Sequence, residues 1–203
     1  MSNDQGMIPL DQRLEHLFKV VSSSRFLKKQ GIGNEVPFFI CPFKPEEAVE
    51  MDRVRRQLIN RLNQTGIRIL EINLYDLSIE LLKKRNIWEE IMSIEEELSK
   101  DELLETLQSV LDSETHLIPA IAEIISQSEF EVMIISGVGE VFPYIRSHNV
   151  LNNLQSTAKD KPTVMFFPGA YTHSLGAGSS LDLFGRLRDD KYYRAFNINF
   201  YEV

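Results

Sequence analysis

Apolar residues fall into two patterns along this chain: short unbroken runs, and longer stretches in which they recur every three or four positions. The runs Val132 to Ile135 and Val164 to Phe167 are too short for helices and rich in β-branched and aromatic residues, which predicts strands buried on both faces. Strands of that kind belong to parallel sheets. Between them, Gly137 and Gly139 permit a sharp turn and Pro143 suits the first turn of a helix. Tyr144, Ile145, Val150, Leu151 and Leu154 then share roughly one helical face as far as Gln155. The stretch from Phe130 to Thr172 therefore predicts a β-α-β unit.

The flanking sequence continues in the same way. Leu10, Leu14, Leu17, Phe18 and Val21 predict an amphipathic helix entered at Pro9. A turn at Gly31 to Asn34 leads to a first strand, Val36 to Cys41; a helix from Glu46 to Gln64 ends at Gly66, and a second strand follows over Ile67 to Asn73. Helical periods over 74–84, 87–98, 102–111 and 118–125 predict a helical insertion of about 74–127 between strands two and three. After Pro168, the small polar residues Gly169 to Ser180 read as a loop leaving the carboxyl end of a buried strand. A short helix, Leu181 to Leu187, and a last strand, Ala195 to Tyr201, complete the chain. The expected architecture is one α/β domain over 1–203, with three layers and a mostly parallel sheet of about five strands.

Composition narrows the function classes. A formal net charge of −8 opposes tight direct binding to DNA or to an anionic membrane surface. Cys41, the single cysteine, excludes an internal disulfide and a cysteine-cluster zinc site, and no stretch approaches a membrane span, so the expected compartment is the cytoplasm. Glu89, Glu90, Glu95, Glu96, Glu97, Asp101, Glu102 and Glu105 concentrate the acidity in the insertion. The simpler reading of that run is a solvated helical face; an acidic docking surface is the alternative.

Candidate chemistry is sparse. A phosphate-cradling P-loop needs Gly-x-x-x-x-Gly-Lys-Ser/Thr between a strand and a helix, whereas strand one leads into Cys41-Pro-Phe-Lys-Pro-Glu46, so no functional Walker A motif is present. Gly137-Val-Gly139 lacks the third glycine of a dinucleotide fingerprint, and Glu140 follows it. Gly137, Gly139, Glu140 and Arg146 are therefore candidate structural loop residues. Gly176, Gly178, Ser179 and Ser180, ahead of the expected helix at Leu181, suit either an anion loop or a plain surface loop capped by Ser180. Neither Ser136 nor Ser174 sits in a nucleophile frame, and His16, His116, His148 and His173 lack ligand spacing, so no catalytic, metal or cofactor site is expected. Arg186, Arg188, Tyr192, Tyr193 and Arg194 are of the types that anchor protein contacts, and with Gly169 and Tyr171 they are the candidate partner-binding or ligand-binding residues. An ion-paired network fastening the last strand is the structural alternative.

Three blocks carry a family resemblance: Ile135-Ser-Gly-Val-Gly-Glu-Val-Phe-Pro-Tyr-Ile-Arg146, Phe166-Phe-Pro-Gly-Ala-Tyr171 and Leu183-Phe-Gly-Arg-Leu-Arg-Asp-Asp-Lys-Tyr-Tyr-Arg-Ala-Phe196. In these blocks, and in length, the chain resembles the BrxB family of bacterial BREX (bacteriophage exclusion) defence systems. The resemblance implies a cytoplasmic anti-phage role beside a DNA methyltransferase, a large AAA-type ATPase and the alkaline-phosphatase-like PglZ protein, with PglZ the foremost candidate partner. It carries no catalytic residues across. The blocks are also similar to the Rossmann-like core of P-loop ATPases, and the missing phosphate loop accords with a non-hydrolytic member. The expected function is thus a non-enzymatic assembly subunit working through protein contacts. The alternative is a degenerate nucleotide-binding or enzymatic domain using the loops after strands three and four.

Overall fold

In a computed structural model, the structure describes residues 8–30, 37–174, 178–190 and 195–203. Five parallel strands form the body of the sheet: β1 (Phe38–Phe43), β2 (Ile69–Asn73), β3 (Val132–Ser136), the first half of β4 (Thr163–Ser174) and β7 (Phe196–Asn197). Their order is β2-β3-β4-β1-β7. Phe38 pairs with Thr163, Ile69 with Val132, Met133 with Thr163 and Phe39 with Phe196. The interior strands are the apolar runs of the sequence, and successive residues of each enter opposite cores. Phe38, Ile40, Met133, Ile135, Met165 and Phe167 face one side; Phe39, Cys41, Val132, Ile134, Val164 and Phe166 face the other. That two-sided burial makes the α/β molecule three-layered.

One outer layer holds α1 (Leu10–Val21), α2 (Ser24–Leu27) and α3 (Ala48–Gln64), which bury Leu17, Phe26, Met51, Leu58 and Leu62. Arg13, 3% exposed, ties this layer together: it faces Glu47 at 3.0 Å and donates to Met51 Sδ at 3.1 Å and to Ile8 O at 2.7 Å. The opposite layer is the insertion between β2 and β3, comprising α4 (Leu74–Lys84), α5 (Trp88–Ile94), α6 (Lys100–Val110) and α7 (Ile118–Gln127), joined by α8 (Ser147–Thr157) after β3. A capping box at Ser99 and Glu102 starts α6, and the acidic residues of α5 and α6 are exposed.

Several boundaries differ from the sequence reading. The first strand starts at Phe38 and runs through Pro42 to Phe43. The helix expected from Pro143 begins only at Ser147, because 138–145 is a chain of turns in which Ile145 N donates to Val141 O at 2.9 Å. The Phe142–Pro143 peptide is cis. The last strand is two residues long and turns at once into a short 3-10 helix, Ile198–Phe200.

The largest correction concerns the chain after Pro168. The expected loop and helix are instead an antiparallel extension in which β4 continues to Ser174, pairs with β5 (Gly178–Leu183), and β5 pairs with β6 (Leu187–Asp190). Ser180 lies within β5, and among the described residues no helix starts at Leu181, so the helix N-terminus that the anion-loop reading required is absent there. Leu181 and Leu183 alternate inward with Tyr171 into the core on the insertion side, while Asp182 stands between them. The turn expected at Gly31 to Asn34 lies outside the described residues.

Candidate functional site

The carboxyl ends of β1, β3 and β4 surround a crevice of about 290 Å³. Open α/β sheets present ligand sites at this end, where successive strands send their connections to opposite faces. Here β1 leads into α3 on one face, and β3, on the far side of β4, leads into α8 on the other. Phe43, Met51, Phe166 and Phe184 supply apolar walls, Ser136 to Glu140 form one side, and Asp52 and Arg55 reach in from α3.

The packing around β3 leaves room for little but glycine. Gly137 has φ of +74°, and a Cβ there would stand 2.3 Å from Asn73 Oδ1. That oxygen is engaged, accepting from Tyr75 N at 2.9 Å and Asp76 N at 3.3 Å to cap α4. A Cβ on Gly139 would meet Pro168 at 2.9 Å and Phe184 at 3.0 Å, and one on Gly169 would stand 2.0 Å from Asp182 O. The turns after β3 and the β4–β5 hairpin therefore close on each other, helped by the edge-to-face pair of Phe142 and Phe184 at 6.2 Å.

Charge in the crevice is unevenly committed. Arg55 is buried and bound by two carboxylates, Asp52 on its own helix and Glu71 on β2; Asp52 also holds Arg56. These pairs clamp α3 to the sheet and consume the one guanidinium among the described residues that line the crevice. Glu140 is exposed, and its carboxylate makes no ion pair or hydrogen bond with the described residues. Ser136 is 5% exposed and its Oγ has no partner among them. A buried hydroxyl left unbonded is costly, so Ser136 is a conspicuous feature of this wall.

The residues singled out from the sequence divide between several places. Gly137, Gly139 and Glu140 line the crevice, while Arg146 is exposed just ahead of α8 and outside that lining. Gly169 marks where β4 enters the hairpin. Tyr171 is 6% exposed and donates from its hydroxyl to Ala195 O at 2.6 Å, so it belongs to the core rather than to an outer surface. Arg186 is exposed in the turn after β5. Arg188 stands opposite Asp182 in the β5–β6 register; its side chain, with Tyr192, Tyr193 and Arg194, lies outside the described residues. Asp52, Arg55, Phe43 and Ser136 were not among the expected site residues. Ser136 alone had a local signal, a polar residue ending an otherwise apolar strand.

Comparison with known proteins follows the same blocks. The family model described as "BREX protein BrxB" matches residues 70–198. A "BREX protein BrxB" of Bacillus cereus (strain H3081.97) is 30% identical over 193 residues, covering 93% of this chain and 97% of the relative. One of Escherichia coli O9:H4 (strain HS) is 25% identical over 189 residues, covering 93% and 91% respectively. No solved structure matches.

Proposed function

Since this chain belongs to the BrxB family and is thereby a component of a BREX system, we propose that it serves there as a non-enzymatic assembly subunit, holding other BREX proteins at the carboxyl edge of its sheet. The observation that carries the reading is the state of the crevice. A phosphate would want uncommitted positive charge there, yet Arg55, the one cation among the described lining residues, is taken by Asp52 and Glu71, and Glu140 adds a free negative charge. Strand β1 runs into Lys44 and Pro45 at a 3-10 turn, which offers no glycine-rich set of N–H donors. The kinship with Rossmann-like P-loop ATPase cores belongs to the same proposal, supported by the parallel sheet with helices on both faces.

The surface assigned to this role comprises the crevice rim and the adjoining turn 184–186, where Phe184 and exposed Arg186 stand together. PglZ is the first partner to test, followed by the ATPase and the methyltransferase. The proposed setting is the cytoplasm, without direct tight DNA binding; among the described residues no helix is long and apolar enough to cross a membrane. The test is co-purification of the tagged chain with each BREX protein of its own system. Recovery of at least one partner at physiological salt is expected. Recovery of none, together with low-micromolar affinity for ATP or GTP by calorimetry, would favour the enzymatic reading instead.

A further inference from the structure

Four features of the crevice specify an occupant more closely than a general protein contact does. Ser136 Oγ is a buried polar atom in its wall without a partner, able to donate or accept. Glu140 offers a carboxylate at its edge that no described group neutralises. Phe43, Phe166 and Phe184 line the same space. Its arginine is held by two acids, so among the described lining residues an entering anion would find no free cation and would face Glu140, Arg186 standing outside that lining.

A phosphate is thus disfavoured, and an ordinary apolar side chain would leave both Ser136 and Glu140 unanswered. A guanidinium answers all four features: it is planar and stacks on aromatic faces, it pairs with a carboxylate through two parallel N–H donors, and it has donors to spare for a hydroxyl. The protein already uses this arrangement elsewhere. Arg61 lies 4.0 Å over the ring of Phe18 while its two terminal nitrogens bond Glu15. We propose that the crevice is a receptor for an arginine side chain carried by a basic segment of a BREX partner, with Glu140 pairing the guanidinium, the phenyl rings flanking it and Ser136 accepting from it. This rests on the assembly role argued above and names the chemistry of the contact.

The test uses the full chain and two small probes. N-acetyl-arginine methylamide is titrated while the methyl resonances of Met51 and Val138, both lining the crevice, are followed by NMR; the neutral isostere N-acetyl-citrulline methylamide is titrated in parallel. Saturable shifts are expected with the arginine probe, at least about fivefold weaker binding with citrulline, and loss of that preference in Glu140→Gln. Glu140 is exposed, so this variant keeps the fold. Ser136→Ala should weaken the arginine probe and yet raise the midpoint of thermal unfolding, since it removes an unbonded buried hydroxyl. A role for Ser136 in holding the fold would lower that midpoint instead. No saturable shift, equal binding of the two probes, or tighter binding of AMP to the same methyls would each overturn the assignment. A silent titration beside intact co-purification would remove the arginine pocket and leave the assembly role; an intact titration without any BREX partner would do the reverse.

Discussion

Gly137 shows how one residue joins two elements of the site. Its positive φ and its approach to Asn73 Oδ1 leave no room for a Cβ, whereas Gly66, at φ +87°, faces open space. The two glycines separate backbone conformation from crowding. Gly66→Ala is expected to cost about 1–2 kcal/mol, the penalty of a left-handed conformation alone. Gly137→Ala carries that penalty and also displaces the α4 cap, which adds about 1 kcal/mol more. Urea unfolding of the two variants should therefore rank Gly137→Ala clearly lower, and equal midpoints would show that the Asn73 cap and the β3 turn are independent. Burial has a chemical consequence at Cys41 as well: its thiol is pushed up to about 12, which keeps the native sulfur protonated and unreactive.

At the scale of elements, what the sequence disclosed was burial on both faces. Met133, Ile135, Val164 and Phe166 lie in unbroken apolar runs because helices cover the sheet on either side, and such runs are recognisable without knowing their neighbours. The hairpin after Pro168 was hidden because Gly169 to Ser180 is small and polar, and its strand character comes from pairing with residues up to fourteen positions away. Leu181-Asp-Leu183 did hold a period-two signal, overshadowed by the leucine spacing toward Leu187. The delayed start of α8 has a similar cause: Val141 and Ile145 are both buried and one turn apart, which imitates a helix inside a run of turns. Crevice residues such as Phe43, Arg55 and Phe184 come from elements far apart in the chain, so nothing local announces their meeting. Ile134, fully buried in β3, tests the sheet's centre: Ile134→Ala should cost about 2–5 kcal/mol through the cavity it leaves, and a change under about 1 kcal/mol in chemical unfolding would place the core elsewhere.

Across the whole molecule, 30 acidic residues outweigh 22 lysines and arginines, and several of the acids are held as carboxylates by the fold. The Thr115 N–H and hydroxyl hold Asp112 below its usual 3.8, and hydrogen bonding from Arg68 holds Glu131 below its usual 4.5. Both pKa values are depressed on folding, so their stabilisation is present above the ordinary carboxylate range and is lost as pH falls below about 4.5. Stability measured downward from neutrality should decline through that window. Asp112→Asn, which retains a cap acceptor, should flatten part of the decline; an unchanged acid profile would show that this carboxylate is bound no better in the folded chain than in the unfolded one.

The assembly role meets its most direct test in co-purification from cells carrying the chain's own BREX system, comparing wild type with a variant bearing Glu140→Gln and Arg186→Ala. Both positions are exposed, and thermal melting confirms the fold of the variant beforehand. Wild type should retain at least one BREX protein at physiological salt while the folded variant loses it. Partner recovery undiminished by the two substitutions would contradict the assignment of the contact to the carboxyl edge of the sheet, and failure of wild type to recover any BREX protein would contradict the assembly role itself.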